Sequence, residues 1–330
     1  MDGLRSILAV LGGHFRFDPG FEHAIELDPR YVAAELADGL AELGVTRASL
    51  GVQDVNPLVQ AAIGRIQPLS VVESAVKRLR LAGIRNLNFD LIYGLPMQTL
   101  QSIRETCALV SAMEPDRIAC FGYAHLPALK ANQRRIDEAT LPSLDQRIDQ
   151  AELIADELIR RGYVRIGIDH FAKPADPLAS AAASGKLHRN FQGYTDGHSR
   201  VLLGLGASSI STFAEGFVQN ISDVPKYIHA VEAGSLASVR GRRLDADDRW
   251  RGRVIERLMC DFSVDFAAVA PGADLSRELL MLAPMVRDGL VEIADSNLVV
   301  TGLGRPIVRF IAALFDAYRG PQTAQFSSAV

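Results

Sequence analysis

Cysteine is scarce in this sequence, and the few cysteines are far apart. Only three occur in 330 residues, Cys107, Cys120 and Cys260, and none belongs to a C-x-x-C or similar metal-ligand motif. Each lies in an apolar stretch, where a free cysteine usually serves as a small buried hydrophobic residue. We therefore predict no zinc or iron–sulfur site built from these three side chains.

Long apolar runs and an excess of basic charge are missing as well. The longest uncharged run, Val201–Ala214, is too short to cross a bilayer and too rich in Gly and Ser. The first residues lack the layout of a signal peptide, and the net charge of −4 gives no reason to expect a nucleic-acid partner. We expect a cytoplasmic protein of about two domains, without membrane or nucleic-acid partners.

The most informative stretch runs from Asn86 to Pro96 and reads Asn-Leu-Asn-Phe-Asp-Leu-Ile-Tyr-Gly-Leu-Pro. A short apolar run that ends at Gly and Pro predicts a strand buried on both faces. Asp90 stands out in it, because a buried carboxylate costs several kcal/mol unless a partner compensates for the lost water. In parallel α/β folds the carboxyl end of a strand faces the ligand, so Asp90 is a candidate site residue.

Polar residues follow other predicted strands in the same way. Glu26, Gln53 and Asp90 lie at or near the ends of successive strands, and Tyr123 with Ala124 ends a fourth. Helical patterns separate these strands, and strand–helix–strand repeats with right-handed crossovers form a parallel sheet whose carboxyl ends share one edge. The repeat therefore predicts an α/β fold in which these positions surround one site.

The pattern changes after residue 127. A long amphipathic helix follows, and residues 188–195 then read His-Arg-Asn-Phe-Gln-Gly-Tyr-Thr, a segment dense in hydrogen-bonding side chains. From about residue 235 the chain is mostly helical, with a predicted hairpin around Asp295 and Asn297. Helices followed by a small hairpin resemble a winged-helix module. We predict a core domain at 1–234 and a helical C-terminal domain at 235–330.

Taken together, these motifs resemble the oxygen-independent coproporphyrinogen III oxidases (dehydrogenases), a branch of the radical S-adenosylmethionine superfamily. The resemblance extends from about Leu4 to the C-terminus, and the Tyr-Ala-His-Leu-Pro and His-Arg-Asn-Phe-Gln-Gly-Tyr elements are its most specific parts. The matching segments are Ile25-Glu-Leu-Asp-Pro-Arg30, Leu50-Gly-Val-Gln-Asp54, Asp90-Leu-Ile-Tyr-Gly-Leu-Pro96, Tyr123-Ala-His-Leu-Pro127, Asp169-His-Phe-Ala172 and His188-Arg-Asn-Phe-Gln-Gly-Tyr-Thr195.

The resemblance implies a fold, a reaction and a set of ligand contacts. The fold would be an incomplete TIM-like (βα) barrel of parallel strands with a helical, winged-helix-like C-terminal domain. The family cleaves S-adenosylmethionine at a [4Fe–4S] cluster, and the resulting radical drives the oxidative decarboxylation of two propionates of coproporphyrinogen III to give protoporphyrinogen IX. By motif match, the residues that hold S-adenosylmethionine would be Glu26, Gln53, Arg65, Asp90, Ala124 and Ile210.

Other contacts follow from the same resemblance. Coproporphyrinogen III carries four propionates, so its pocket needs cations and hydrogen-bond donors. His170, Lys173, His188 and Arg189 lie in or beside the matching segments and are the candidates for that role. The family also implies an electron donor for the cluster and a monomeric protein.

The sequence departs from the family at its beginning. The family places a C-x-x-x-C-x-x-C or C-x-x-x-C-x-C loop after its first strand and Gly-Gly-Thr-Pro after its second, and neither occurs here. We therefore expect an N-terminally truncated copy that lacks the first two βα units. Without cluster ligands such a chain would be inactive as it stands.

Two alternatives remain open. The related haem-chaperone subfamily binds haem and carries a His-Asn-x-x-Tyr-Trp element where this chain has His188-Arg-Asn-Phe-Gln-Gly-Tyr194, whereas the only Trp here, Trp250, lies elsewhere. The other alternative is a non-enzymatic remnant without a current function.

Overall fold

The computed structural model of the chain describes residues 1–197, 199 and 201–318. The described chain forms two compact units, Met1–Ser180 and a second that begins at Ala181. The last residues of the predicted C-terminal domain, 319–330, lie outside the described range. No helix among the described residues is both long and apolar enough to cross a membrane.

The first unit contains a sheet, its connecting helices and short 3₁₀ turns. The strands are β1 Ala24–Leu27, β2 Arg47–Gln53, β3 Asn86–Tyr93, β4 Arg117–Gly122, β5 Val164–Ile166 and β6 His170–Ala172. The helices are α1 Asp2–His14, α2 Ala34–Glu42, α3 Pro57–Ala62, α4 Leu69–Leu81, α5 Leu100–Ala112 and α6 Leu144–Arg160, and α7 Pro177–Ala183 contains the division between the two units. The 3₁₀ turns are Pro29–Tyr31, Ala131–Arg135 and Glu138–Thr140.

The sheet has the strand order β1-β2-β3-β4-β6-β5. Strands β1 to β4 are parallel neighbours, which confirms the predicted parallel α/β repeat. The last two strands differ, because β6 pairs antiparallel with both β4 and β5. Chain reversal at Gly167, with φ of 55°, makes β5 and β6 a tight antiparallel pair in place of another βα unit.

The hydrophobic core of the first unit lies between one face of this sheet and the helices that connect its strands. Leu50 of β2, Phe89 of β3 and Ile118 of β4 are fully buried in it. Burial of each such side chain stabilises the fold by roughly 1.5–3 kcal/mol. Cys107 and Cys120 belong to the same core, which confirms that they serve as small hydrophobic residues.

The second unit combines small antiparallel sheets with helices. Its strands are β7 His188–Asn190, β8 Gly193–Thr195, β9 Ile210–Phe213, β10 Gly216–Asn220, β11 Ser238–Arg243, β12 Ser263–Asp265, β13 Val291–Ala294 and β14 Asn297–Val300. Its helices are α8 Val224–Glu232, α9 Ala246–Asp261, α10 Phe266–Val269, α11 Ser276–Arg287 and α12 Val308–Ala313, with a 3₁₀ turn at Arg305–Ile307. The predicted hairpin is confirmed, since β13 and β14 pair antiparallel and turn at Asp295, with φ of 52°.

The compact units divide at Ser180, not after residue 234 as the predicted domain boundary has it. The β7–β8 hairpin is bound to α9: the Tyr194 hydroxyl donates to the Met259 carbonyl at 2.8 Å, and Arg257 donates to the Leu187 carbonyl at 2.5 Å. Sequence pattern could not show these contacts, because they join residues 65 and 70 positions apart. The division into domains at residue 234 stays a prediction.

Strand β1 is an open edge in the described chain, since it pairs with β2 on one side only. Helix α1 exposes the apolar residues Leu4, Ile7 and Val10. Unpaired strand edges and exposed apolar patches both promote association. The first unit thus combines two features that favour binding to another chain.

We expect the expressed chain to self-associate through β1. Size-exclusion chromatography with light scattering should give a mass above that of a monomer that rises with concentration. Ala24→Lys, which places a charge on the exposed edge, should shift the chain toward the monomer, whereas Ala33→Lys before α2 should not. A wild-type chain that stays monomeric at every concentration would show that the edge is protected.

Candidate functional site

One face of the first unit's sheet is polar. On β3, Leu87, Phe89 and Leu91 are buried in the core, whereas Asn88 and Asp90 on the opposite face are half-buried. The prediction that this strand is buried on both faces was therefore wrong. The alternation of polar and apolar residues was visible in the sequence and is typical of a strand with one solvated face.

Asp90 lies in the middle of a row that crosses the polar face. Residues in register along this row are Gly51 of β2, Asp90 of β3, Ala119 of β4 and His170 of β6. The small residues on either side of Asp90 leave room for larger groups beside its carboxylate. Glu26 of β1 lies in the adjacent row opposite Ser49, and its charge acts on Asp90.

The Asp90 carboxylate is held by two neighbouring side chains. The Ser49 hydroxyl donates to its Oδ2 at 2.8 Å, and Asn88 Nδ2 donates to its Oδ1 at 2.9 Å. Burial raises the pKa of Asp90 and the nearby Glu26 charge adds to that rise, while the hydrogen bonds from Ser49 and Asn88 lower it. The group is a fixed acceptor whose negative charge is poorly solvated, so a ligand that donates hydrogen bonds to it would be favoured.

Gln53 and Arg65 lie together over Gly51. A β-bulge at the end of β2 puts Gln53 in a left-handed conformation with φ of 67°. Arg65 Nη2 donates to the Gly51 carbonyl at 2.9 Å and lies 3.2 Å from the Asp28 carboxylate. A Cβ on Gly51 would come within 2.9 Å of Gln53 Nε2 and 3.4 Å of Arg65 Nη2, so a larger residue here would force the Gln53 side chain to shift.

A buried network fixes the strand ends that carry these residues. Asp54, which is 1% exposed, accepts hydrogen bonds from Gln98 Nε2 at 2.6 Å, the Asn56 amide at 2.7 Å and the Thr106 hydroxyl at 3.1 Å. Gln98 also donates to the Ile92 carbonyl at 2.8 Å, which ties the end of β3 to the residue after Gln53. Burial raises the pKa of Asp54 against the effect of these hydrogen bonds.

Sequence reasoning missed Asp54 and Gln98 as supports of the site. The available signal was a polar side chain directly after β2, at Asp54, and another in the turn that follows β3, at Gln98. Nothing in the pattern showed that the two side chains meet, because they are 44 residues apart.

Ala124 follows β4 at the same edge of the sheet. The Tyr123 amide donates to the Tyr93 carbonyl at 2.8 Å, which continues the pairing of β3 and β4 by one residue. The Tyr123 hydroxyl lies 3.1 Å from His125 Nδ1, and His125 Nε2 lies 3.1 Å from Glu138. Burial raises the pKa of Tyr123, so its hydroxyl keeps its proton. The structure therefore brings Glu26, Gln53, Arg65, Asp90 and Ala124 to one edge or face.

Two of the predicted substrate contacts are separated within the first unit. His170 lies on the polar face in the row of Asp90, with its Nδ1 2.7 Å from the Asp169 carboxylate and its ring against Phe121. Lys173 lies at the opposite, amino-terminal edge of β4. Its Nζ donates to the Glu114 carbonyl at 3.0 Å and lies 3.8 Å from Asp116. Lys173 is therefore not brought together with Asp90, because β6 runs antiparallel to β4.

The remaining predicted contacts lie in the second unit. His188 and Arg189 line a cavity of about 590 Å³ together with Thr195, Thr212 and Glu256. His188 Nδ1 lies 3.1 Å from the Glu256 carboxylate, whereas the exposed Arg189 guanidinium lies 5.5 Å from the ring centre of Tyr194 and makes no ion pair within the described chain. Ile210 begins β9 and pairs with Gln219 of β10.

The described residues do not fit an iron–sulfur cluster. Such clusters need several thiolates close together, but Cys107, Cys120 and Cys260 are buried in α5, β4 and α9. Burial raises the pKa of the Cys107 and Cys260 thiols to about 12 and that of Cys120 well above its usual range. Among the described residues, no three His, Cys, Asp or Glu side chains are grouped to hold a metal ion.

Comparison with known protein families gives the class of protein to which this parallel sheet belongs. The chain matches the family described as Radical SAM superfamily over residues 3–110. Residues 244–307 match the HemN C-terminal domain. The matched domains are thus those of a radical S-adenosylmethionine protein.

Similar proteins narrow this class to one family. An oxygen-independent coproporphyrinogen III oxidase of Bradyrhizobium diazoefficiens is 42% identical over 334 residues, which cover 100% of this chain and 74% of the relative. The one from Escherichia coli is 39% identical over 94% of this chain and 70% of its own. A solved structure of the Escherichia coli coproporphyrinogen III oxidase, titled a radical SAM enzyme, matches 96% of this chain and 74% of that chain, with a TM-score of 0.90 and 38% identity. The chain belongs to the oxygen-independent coproporphyrinogen III oxidase family.

Proposed function

We propose that this chain carries the S-adenosylmethionine-binding and substrate-binding parts of an oxygen-independent coproporphyrinogen III dehydrogenase, an oxidoreductase of porphyrin and haem biosynthesis. The observation that carries this proposal is the polar row through Asp90, with Gln53 and Arg65 beside it at the carboxyl ends of the parallel strands. The sheet would form part of a TIM-like barrel. The helices around β12–β14 would form the winged-helix-like domain.

Each residue at this edge has a chemical role toward S-adenosylmethionine. Asp90 and Glu26 are acceptors for its hydroxyl and amino groups, and Gln53 can accept and donate. Arg65 can pair with its carboxylate, because a guanidinium binds a carboxylate through parallel hydrogen bonds. Ala124 offers backbone groups. Ile210 lies in the second unit, and its role as an apolar wall remains a proposal from the motif match alone.

Coproporphyrinogen III is the proposed substrate, and its propionates need cationic partners. Arg189 supports this role best, because it lines a cavity and its guanidinium makes no ion pair within the described chain. His188 and His170 can donate hydrogen bonds from their second ring nitrogens. A cytoplasmic location for this chain remains a proposal. For the longer relatives, an electron donor and a monomeric state remain proposals as well.

Replacing Arg189 with Ala should weaken binding of coproporphyrinogen III by roughly 1.5–3 kcal/mol, because one charged hydrogen-bonding partner of a propionate is lost. Anaerobic fluorescence titration of the chain with the porphyrinogen measures this change. Arg240→Ala, which removes an exposed arginine bound to the neutral Gln219, is the matched control. Equal affinity in wild type and Arg189→Ala would remove Arg189 from the substrate site.

The described residues do not include a set of side chains that could ligate a [4Fe–4S] cluster, so they support no reaction step at one. Anaerobic reconstitution of the chain with iron and sulfide should therefore leave less than one iron per chain after desalting. Iron and acid-labile sulfide analysis measures this. About four irons per chain with the visible absorption of a cluster would refute the expectation.

A further inference from the structure

The backbone beyond β4 is held by side chains. Strand β4 ends at Gly122, and the next carbonyls lack strand neighbours. Arg147 Nη2 donates to the Tyr123 carbonyl at 3.0 Å. Gln133 Nε2 donates to the Ala124 carbonyl at 2.9 Å, and Gln133 Oε1 accepts from the Leu126 amide at 2.5 Å. Two side chains thus bind three backbone groups within four consecutive residues.

The strand ends are shaped to admit Arg147. A Cβ on Gly94, after β3, would lie 3.0 Å from Arg147 Nε, and a Cβ on Gly122 would lie 3.3 Å from Arg147 Nη2. Glycine at both positions lets the guanidinium lie against the ends of β3 and β4. Desolvation by burial lowers the pKa of Arg147, although a guanidinium stays charged at neutral pH.

The Gln133 bonds decide which backbone group Ala124 can offer to a ligand. Its carbonyl is already bonded to Gln133, whereas its amide N–H has no hydrogen-bond partner among the described residues. A primary amide that donates and accepts at once fixes both ends of the short segment. Ala124 therefore presents a donor, and that donor suits a ring nitrogen or another acceptor atom of the ligand.

We propose that Gln133 and Arg147 are positioning residues for S-adenosylmethionine. They fix the backbone from Tyr123 to Leu126 so that the Ala124 N–H is held toward the ligand, and they do not themselves need to touch it. The inference rests on the proposed function, because that function supplies the ligand.

Three variants test the role of Gln133. Gln133→Leu removes both of its hydrogen bonds, whereas Gln133→Glu keeps the acceptor for the Leu126 amide but loses the donor to the Ala124 carbonyl. Gln101→Leu, which removes a surface glutamine bonded to Glu105 on α5, is the matched control. Two readouts are needed: S-adenosylmethionine affinity by titration calorimetry, and hydrogen exchange at the Leu126 amide by NMR.

We expect affinity to fall about tenfold in Gln133→Leu, as loss of a ligand hydrogen bond of ordinary strength would give, and less in Gln133→Glu. The Leu126 amide should exchange faster in Gln133→Leu but stay protected in Gln133→Glu. Unchanged affinity in Gln133→Leu, with wild-type binding intact, would overturn the positioning role alone. Absence of binding by the folded wild-type chain would overturn the proposed function and this inference with it.

Discussion

Asp54→Ala is expected to lower the free energy of unfolding by roughly 2–4 kcal/mol, the largest stability effect of a single substitution at this site. The change removes the acceptor for three donors, from Gln98, Asn56 and Thr106. The Asn56 amide and the Thr106 hydroxyl would lose their hydrogen-bond acceptor, and little water is available to replace it because Asp54 is buried. The substitution also removes the desolvation cost of the buried carboxylate, but that gain offsets only part of the loss.

Urea denaturation followed by circular dichroism measures the Asp54→Ala effect. Asp38→Ala is the matched control, because Asp38 is exposed on α2, and it should change stability by less than about 0.5 kcal/mol. If Asp54→Ala unfolds at the wild-type urea concentration, the network does not fix the ends of β2 and β3. The structural support proposed for Gln53 would then be withdrawn.

Asp90→Leu should weaken S-adenosylmethionine binding by roughly 2–3 kcal/mol, which is about 30- to 150-fold in Kd. The leucine removes the charged acceptor from the centre of the polar row and leaves the Ser49 and Asn88 donors without their partner. Asp90→Asn should also weaken binding, because an amide presents one acceptor where the carboxylate presents two.

The ionisation of Asp90 should also make the free energy of unfolding depend on pH. Because burial raises the pKa of Asp90 in the folded chain, folding favours its protonated form, and the contribution of that form to stability is greatest below the unfolded pKa. That contribution is lost as pH rises through the raised folded pKa. The stability of wild type relative to Asp90→Asn should therefore fall between about pH 4 and pH 7. A constant difference across this range would show that burial does not disfavour the ionised carboxylate.

Much of the fold was predictable because its signals are local. Glycine and proline separate the units of the βα repeat, and the polar residues at or near the strand ends predict that Glu26, Gln53 and Asp90 lie close together toward the carboxyl edge. The parallel order of β1 to β4 then follows from the short crossovers. The placement of these residues at one edge could be predicted from the strand-end pattern alone.

The parts that could not be predicted depend on contacts between distant residues. Gln98 reaches Asp54 across 44 positions, and Arg147 reaches the Tyr123 carbonyl across 24. The antiparallel turn into β6 separates Lys173 from His170, although the two are close in sequence. Periodicity reports which face a residue occupies, but only the packed structure shows which side chain completes a hydrogen bond.

Calorimetric titration of the folded chain with S-adenosylmethionine shows whether the carboxyl edge of β1 to β4 forms the binding site. We expect one saturable site per chain whose affinity falls at least 30-fold in Asp90→Leu. Asp145→Asn, an exposed change in the first turn of α6, should leave that affinity unchanged. Equal affinity in wild type and Asp90→Leu, or no saturable binding by a folded wild-type chain, would show that this edge is not the binding site.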